Sequence, residues 1–179
     1  MKYLRRLVWY IVGKLSLIVA LLGMLSIAFY FSMNSSNIYI IMKDGMAKRA
    51  QVVMMGLPEE EMENYFSPSY LNRDPVLATV HNGTNPYTRY RINGIDHRLK
   101  MEWLWCWPWE DEATATVVER VPGIDGRILG EYKTTLKESQ WSVPRWESGR
   151  YKVLLAKENG RWLIKNLERT ALIDETKKD

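Results

Sequence analysis

The feature that most constrains this chain is an uncharged stretch close to its start. Residues 15–33, LSLIVALLGMLSIAFYFSM, contain no charged side chain. A helix of that length is about 28 Å long, close to the roughly 30 Å hydrocarbon core of a bilayer. Four aromatic residues lie at or near its ends, as interfacial aromatic residues do: Trp9, Tyr10, Tyr30 and Tyr39. We therefore predict a transmembrane helix over residues 15–33, which places the chain in the lipid bilayer.

The alternative to an anchor is a signal peptide that is removed. The tripeptide SIA at residues 26–28 resembles a signal-peptidase site. However, the apolar run continues through Phe29, Tyr30 and Phe31 without a helix breaker. This continuity favours an uncleaved anchor.

Basic residues are concentrated before the uncharged stretch. The first 33 residues contain no acidic residue and four basic ones: Lys2, Arg5, Arg6 and Lys14. The positive-inside rule then predicts a cytoplasmic tail over residues 1–14 and a C-terminal domain outside the cytoplasm, in a single-pass protein of the cell membrane.

The same distribution of charge argues against nucleic acid as a partner. Residues 34–179 hold 21 basic and 21 acidic residues, so the net charge of +4 comes from the tail. A nucleic-acid-binding protein would concentrate positive charge in its domain.

The remainder of the chain predicts an α+β domain over residues 37–175, with helices first and antiparallel strands after them. Apolar spacing predicts a helix over 37–57, and Pro58 followed by three glutamates predicts a second helix start. Three strand regions follow from alternation and turn signals: a strand at 76–82, a hairpin turning at Asn93-Gly94, and a strand at 113–121 that ends at Pro122-Gly123. A second hairpin is predicted to turn at Asn159-Gly160.

The last predicted hairpin carries a resemblance to a known superfamily. Its sequence KENGRWLIKNLE places a turn, a glycine and a tryptophan before alternating apolar residues: Gly160, Arg161, Trp162, Leu163, Ile164 and Leu167. Together with the order of elements from residue 37 to about 171, this resembles the nuclear transport factor 2-like, or cystatin-like, superfamily. The resemblance implies a cone-like domain in which N-terminal helices pack on a curved antiparallel sheet.

Some members of that superfamily have a single N-terminal span. They include assembly factors of type IV secretion and conjugation systems and sporulation channel subunits. The resemblance therefore implies a membrane-anchored scaffold that binds other proteins of a membrane complex, with self-association as a further option, and that catalyses no reaction. The alternative is a small-ligand-binding protein or an enzyme with a pocket in the cone.

The sequence MEWLWCWPWE places four tryptophans at every second position: Trp103, Trp105, Trp107 and Trp109. In a strand this spacing puts all four rings on one face. Because so many exposed rings would exceed the apolar patch of a normal monomer, we expect Trp103 and Trp105 to be core residues. Lining of a ligand cavity and exposure to a partner or membrane are the two alternatives.

The end of this strand is a candidate partner surface. Pro108 cannot donate a ladder hydrogen bond, so the strand is expected to bend or end there, which frees Trp107 and Trp109. Glu110, Asp111 and Glu112 follow as an acidic rim. Aromatic residues edged by charge are typical of interaction hot spots.

The sequence predicts no catalytic, metal or cofactor site. Six residues have suitable chemistry: Tyr65, Tyr70, His81, Asp96, His97 and Cys106. We expect His81 and His97 to be solvated residues beside turns, and Asp96 and His97 to face opposite ways. No base lies beside Cys106 in the sequence, so it is expected to be a small buried apolar residue. No motif for a metal or for phosphate is present.

Overall fold

The structure is a computed structural model and describes residues 2–173. The predicted C-terminal limit of the domain, residue 175, lies outside the described residues. The described part is α+β, with a long N-terminal helix and one four-stranded antiparallel sheet. The α-helices are α1 (Lys2–Met55), α2 (Pro68–Leu71) and α3 (Pro75–His81). The strands, which lie in chain order across the sheet, are β1 (Tyr90–Trp105), β2 (Glu112–Ile128), β3 (Gly149–Glu158) and β4 (Arg161–Leu172).

Helix α1 is one continuous helix, and its N-terminal and C-terminal parts have different environments. Its N-terminal part is long and apolar enough to cross a membrane, and none of the most apolar window is buried by the rest of the protein. Its C-terminal part enters the domain core through Ile38, Met42 and Met46, all fully buried. The prediction that a helix over 37–57 continues from the apolar stretch is confirmed, and the helix ends at Met55.

The domain core lies between α1 and one face of the sheet. Alternate residues of the two central strands are buried there, including Val117 of β2 and Val153 of β3. Gly45 of α1 allows a close approach, because a Cβ at this position would lie 2.8 Å from Cβ of Tyr65 and 3.4 Å from Cδ1 of Ile164. Helix α1 therefore packs closely against Tyr65 and β4 at this position.

Four 3-10 helices lie in the connections: Glu60–Asn64, Pro86–Arg89, Gly130–Tyr132 and Glu138–Gln140. The helix start predicted after Pro58 is confirmed as the first of these. It carries three acidic residues in its first turn and buries Met62.

The strand predicted at 76–82 is wrong, because these residues form α3. The side chain of Asp74 accepts a hydrogen bond from the backbone N–H of Val76, and Pro75 occupies the first helical turn. An N-cap followed by proline starts a helix, and here it outweighs the strand preference of the valines and threonine.

The hairpin predicted at Asn93-Gly94 is also wrong. Both residues lie within β1, which crosses the position with an irregularity of register between Ile92 and Gly94. Neither residue has the positive φ that a two-residue turn requires. Strand β2 continues past Pro122-Gly123 to Ile128 and pairs with this part of β1, so the expected end of that strand is wrong as well.

The second predicted hairpin is confirmed. β3 and β4 are joined at Asn159 and Gly160, whose φ angles are 50° and 79°. Positive φ at both central residues matches the twist of the flanking strands, which is why Asn-Gly is favoured here.

Candidate functional site

The four tryptophans form an exposed row at the end of β1. Their relative exposures are 50%, 48%, 39% and 68% in chain order, so the prediction that Trp103 and Trp105 are core residues is wrong. The two-residue period of a strand had correctly predicted that the four indole rings lie on one face of β1. The buried face is the other one, on which Cys106 packs against the core.

The indole rings contact one another along the row. The centroids of Trp103 and Trp105 are 6.4 Å apart in a stacked arrangement. Trp105 meets Trp107 edge to face at 5.2 Å, and Trp107 stacks on Trp109 at 5.1 Å. Such pairs stabilise each other beyond their buried area, so the row is an ordered surface. We call Trp103, Trp105, Trp107 and Trp109 the tryptophan row.

The tryptophan row lies beside the apolar part of α1. A groove of about 350 Å³ separates the two and is lined by Trp105, Cys106, Trp107 and Pro108 on one side and by Met24, Ile27, Ala28 and Phe31 on the other. Of the two residues predicted as possible cavity lining, Trp105 borders this groove and Trp103 does not.

The acidic rim continues from the row around the connection to β2. Strand β1 ends at Trp105, as the position of Pro108 predicted, and the N–H of Glu110 bonds to the carbonyl of Trp107. Asp111 and Glu112 are exposed, and Glu112 begins β2. Cys106 is buried, as expected, and burial together with the charge of Glu110 raises the pKa of its thiol. A raised pKa lowers the reactive thiolate fraction.

A buried ion pair that the sequence analysis missed lies near the other end of the domain. Arg49 of α1 donates to Asp74 through Nε and Nη2, the latter at 2.8 Å from Oδ1. Burial alone would raise the pKa of Asp74, but the hydrogen bonds and charge of Arg49 outweigh it and hold the pKa below its usual value. Asp74 thereby ties α1 to the start of α3. Their separation of 25 residues in the chain hides this pair from sequence patterns.

This ion pair borders a cleft between α1, α3 and the segment 144–147. The guanidinium of Arg49 lies 6.0 Å from the ring centroid of Trp146, and Trp146 lies 6.4 Å from Tyr87. The cleft has a volume of about 520 Å³ and is also lined by Tyr151 and Arg169. We call this hollow the distal cleft. Burial raises the pKa of Tyr87 and that of Tyr151 to about 12 each, so both phenols are neutral donors at physiological pH.

The two histidines have different surroundings. His81 is exposed and pairs with Glu59 at 2.9 Å, as a solvated residue should. The expectation that His97 is solvated is wrong, because its side chain is buried and Nε2 lies 3.0 Å from Oε1 of the buried Glu119. The bulge in β1 between Asp96 and Arg98 turns His97 inward. Asp96 is exposed and pairs with Arg98, so Asp96 and His97 do face opposite ways.

The remaining catalytic candidates are aromatic residues of the helical side. Tyr70 is buried and stacks on Phe66 at 5.5 Å, and it borders the distal cleft. Tyr65 packs against the core beside Gly45. Within residues 2–173, no three His, Cys, Asp or Glu side chains are grouped so that they could hold a metal ion.

No protein-family model matches the chain, and the comparison with curated proteins found none that is similar to it. The resemblance to the nuclear transport factor 2-like superfamily therefore stays a prediction. The class of protein that the structure does define is an α+β domain continuous with a long apolar N-terminal helix.

Proposed function

We propose that this protein is a single-pass membrane scaffold whose extracytoplasmic domain binds another protein of a membrane complex through the distal cleft. Residues 15–33 cross the bilayer and the basic tail lies in the cytoplasm. The exposed apolar surface of α1 supports the span, because water is a poor solvent for such a surface and a bilayer is a good one.

The continuity of α1 supports a scaffold role. No linker separates the apolar part from the part that enters the core, so the domain cannot swing freely on its anchor. Arg49 lies about 24 Å along the helix axis from Met33, the end of the proposed span. The distal cleft is thus held at a set height above the membrane and faces partners that approach from outside.

The observation that carries the proposal is the composition of the distal cleft. Tyrosine, tryptophan and arginine are the residues most enriched at interaction hot spots, and here they line one hollow. A second hollow, of about 760 Å³, adjoins it and shares Pro86, Pro144 and Arg145. The combined surface is large enough to receive a chain segment.

The charges of the distal cleft suggest what that segment carries. Arg49 is neutralised by Asp74, and Arg169 is paired with Glu147. The exposed Arg145 makes no ion pair within residues 2–173. We therefore propose a partner segment with an apolar or aromatic side chain next to a carboxylate, which Arg145 would bind.

Photo-crosslinking in cells tests the proposal. A photoreactive phenylalanine analogue at Thr79, which lines the distal cleft, is expected to give a discrete adduct larger than the monomer. The adduct should be lost in the Arg145→Glu variant, since that substitution repels the carboxylate. The same analogue at the exposed Glu131, outside the cleft, is the control and should give no such adduct. An adduct that forms equally at both positions would contradict a specific cleft.

One observation favours the alternative, a small-ligand-binding protein. The volume of about 520 Å³ lies in the range of small-molecule sites. Such a ligand would lie in the distal cleft and not against the tryptophan row. With purified protein, a small aromatic carboxylate such as benzoate would then raise the melting temperature, and Thr79 would give no protein adduct in cells.

A further inference from the structure

We propose that the partner segment that enters the distal cleft is an acidic peptide, whose carboxylates continue from the cleft into the second hollow and onto a group of exposed arginines. These are Arg89, Arg91, Arg127 and Arg145, and we call them the basic corner. This inference rests on the proposed function and deepens it, because it names the chemistry of the whole segment and gives the second hollow a ligand.

The second hollow carries positive charge and no negative charge. Two exposed arginines, Arg89 and Arg145, are among the residues that line its volume of about 760 Å³. No carboxylate lines it, and its neutral polar side chains include Thr84, Thr88, Ser139, Gln140 and Ser142. The planar fork of a guanidinium binds a carboxylate through two parallel hydrogen bonds. The lining of the second hollow therefore suits an anionic ligand.

The adjoining end of the β1–β2 ladder extends this positive charge. Arg91 lies directly opposite Arg127 in the strand pairing, and both side chains are exposed. Arg89 lies two residues before Arg91, and its carbonyl accepts a hydrogen bond from the N–H of Leu129, so these arginines share one end of the ladder. Like charges at directly opposed positions destabilise a sheet. An anion that lies across this end would offset the repulsion between Arg91 and Arg127.

Acidic side chains of this chain do not neutralise the basic corner. Within residues 2–173, none of its four arginines makes an ion pair. Glu131 and Glu138 lie on the connection between β2 and β3, but both are exposed and unpaired with these arginines. The positive charge therefore acts on approaching molecules, and it attracts an acidic segment and repels a basic one.

The junction with the distal cleft favours a peptide over other anions. The second hollow and the distal cleft share Pro86, Pro144 and Arg145, so one ligand can pass from one to the other beside Arg145. The distal cleft offers the aromatic rings of Tyr87 and Trp146, whereas the second hollow offers arginines and hydroxyls. A peptide carries apolar side chains and carboxylates on one backbone. A phosphate polymer lacks the apolar groups that the distal cleft would bind.

A second copy of this chain does not fit as the source of the acidic segment. Its acidic rim lies at the other end of β1 and β2, about 40 Å from Arg91 along the strand. In the proposed topology, α1 holds every copy in the same orientation and at the same height in the membrane. The acidic rim of one copy is then at a different height from the basic corner of its neighbour. The partner is therefore a different protein.

Fluorescence anisotropy with the full chain in nonionic detergent tests the inference. The probe is a fluorescein-labelled peptide in which a phenylalanine precedes aspartates that alternate with glycines, and the comparison peptide has asparagine in place of each aspartate. We expect the aspartate peptide to bind about tenfold more tightly than the asparagine peptide, and less tightly as NaCl is added. Arg89→Glu should weaken its binding about tenfold. The matched control is Arg161→Glu, at an exposed arginine that begins β4, and should leave the affinity almost unchanged.

The Arg91→Glu variant separates binding from folding. This substitution places opposite charges across from each other in the ladder, so the melting temperature should stay the same or rise. The affinity for the aspartate peptide should fall nonetheless. A lower melting temperature together with a lower affinity would show that Arg91 supports the fold, and would overturn its place in the basic corner.

Photo-crosslinking in cells distinguishes this inference from the proposed function. A photoreactive phenylalanine analogue at Ser139, which lines the second hollow, should give an adduct of the same size as the one at Thr79. Arg89→Glu should reduce the adduct at Ser139. An adduct at Thr79 with none at Ser139 would overturn this inference and leave the proposed function standing, whereas no adduct at either position would overturn both.

The identity of the anion is decided by competition in the anisotropy assay. Inorganic polyphosphate should displace the aspartate peptide only weakly, because it has no group for the aromatic part of the distal cleft. Polyphosphate that binds more tightly than the peptide would replace the acidic peptide with a phosphate polymer. Equal binding of the aspartate and asparagine peptides, or binding of neither, would also overturn the inference.

Discussion

At the scale of single residues, two buried charges organise the helical side of the domain. Asp74 accepts from Arg49 and also caps α3, so one carboxylate fixes both α1 and α3. Removing one partner of a buried pair leaves the other charge without compensation, which destabilises a protein far more than loss of an exposed pair.

We expect Asp74→Asn to lower the free energy of unfolding by about 3 to 5 kcal/mol, because Arg49 stays buried without a counter-charge. Urea unfolding in detergent at neutral pH measures this. The matched control is Asp96→Asn, which removes a carboxylate paired with Arg98 at the surface and should leave the unfolding midpoint almost unchanged. Equal effects of the two substitutions would contradict the role of Asp74.

The same pair predicts a pH dependence. The folded pKa of Asp74 lies below the ordinary value of 3.8, so the unfolded chain binds the proton more readily. The stability that the pair contributes is therefore complete above the unfolded pKa and is lost as the pH falls through the folded pKa. Unfolding at a series of acidic pH values should show this loss in the native protein, and the Asp74→Asn variant should lack it.

The tryptophan row gives a third prediction at this scale. Trp103 is half exposed and Trp162 is buried, although both are tryptophans on strands of the same sheet. Trp162→Ala should cost about 3 to 5 kcal/mol of unfolding free energy, as loss of a buried aromatic does. Trp103→Ala should cost clearly less, because much of its ring contributes no buried area. Similar losses in the two variants would show that Trp103 is buried after all.

At the scale of elements, two Asn-Gly pairs with the same sequence signal have different structures. Asn159-Gly160 is a turn with positive φ, and Asn93-Gly94 is part of β1. The turn preference of Asn-Gly depends only on neighbouring residues, whereas strand pairing depends on residues far apart in the chain. Strand β2 is long enough to pair with the whole of β1, and Gly94 lies opposite Asp125 in this pairing. The ladder hydrogen bonds gained there outweigh the local turn preference.

Substitution of the two glycines distinguishes these structures. Gly160→Ala should destabilise the fold by about 1 to 2 kcal/mol, because an alanine at φ +79° is strained. Gly94→Ala should be close to neutral, since a Cβ there meets no atom within 4 Å and φ is not in the left-handed region. Thermal unfolding of both variants measures the difference. A large loss at Gly94 would support the turn that the sequence suggested.

At the scale of the whole molecule, α1 joins two surroundings in one rigid element. None of the most apolar window of its N-terminal part is buried by the rest of the protein, and its C-terminal part is covered by the sheet. In the arrangement that we propose, the distal cleft faces away from the membrane. Because the helix is continuous, the membrane orientation of α1 also fixes the orientation of the distal cleft.

The orientation of the chain is testable by cysteine accessibility in a Cys106→Ala background. With the N-terminus in the cytoplasm, a cysteine introduced by Glu131→Cys should react with an impermeant thiol reagent on intact cells. One introduced by Arg6→Cys should react only after lysis, because the positive-inside rule keeps the basic tail in the cytoplasm. The reverse pattern would invert the proposed topology and would place the distal cleft in the cytoplasm.

The sequence determined those features that depend on neighbouring residues. The uncharged stretch, the continuation of the helix beyond it, the Asn159-Gly160 turn and the α+β class all follow from local periodicity and turn chemistry. The shared face of the four tryptophans follows from the two-residue period of a strand. Each of these depends on the order of residues within a few turns or strand positions.

Only the tertiary structure decided which faces are covered. Strand periodicity divides β1 into two faces, but the packing of α1 selects the one that is buried, and it selects Cys106 over the tryptophans. The Arg49–Asp74 and His97–Glu119 pairs join residues 25 and 22 positions apart, and no local pattern brings them together. The distal cleft likewise exists only where α1, α3, the 144–147 segment and the sheet meet. Burial is a property of contacts between elements, so it is fixed only when those elements pack.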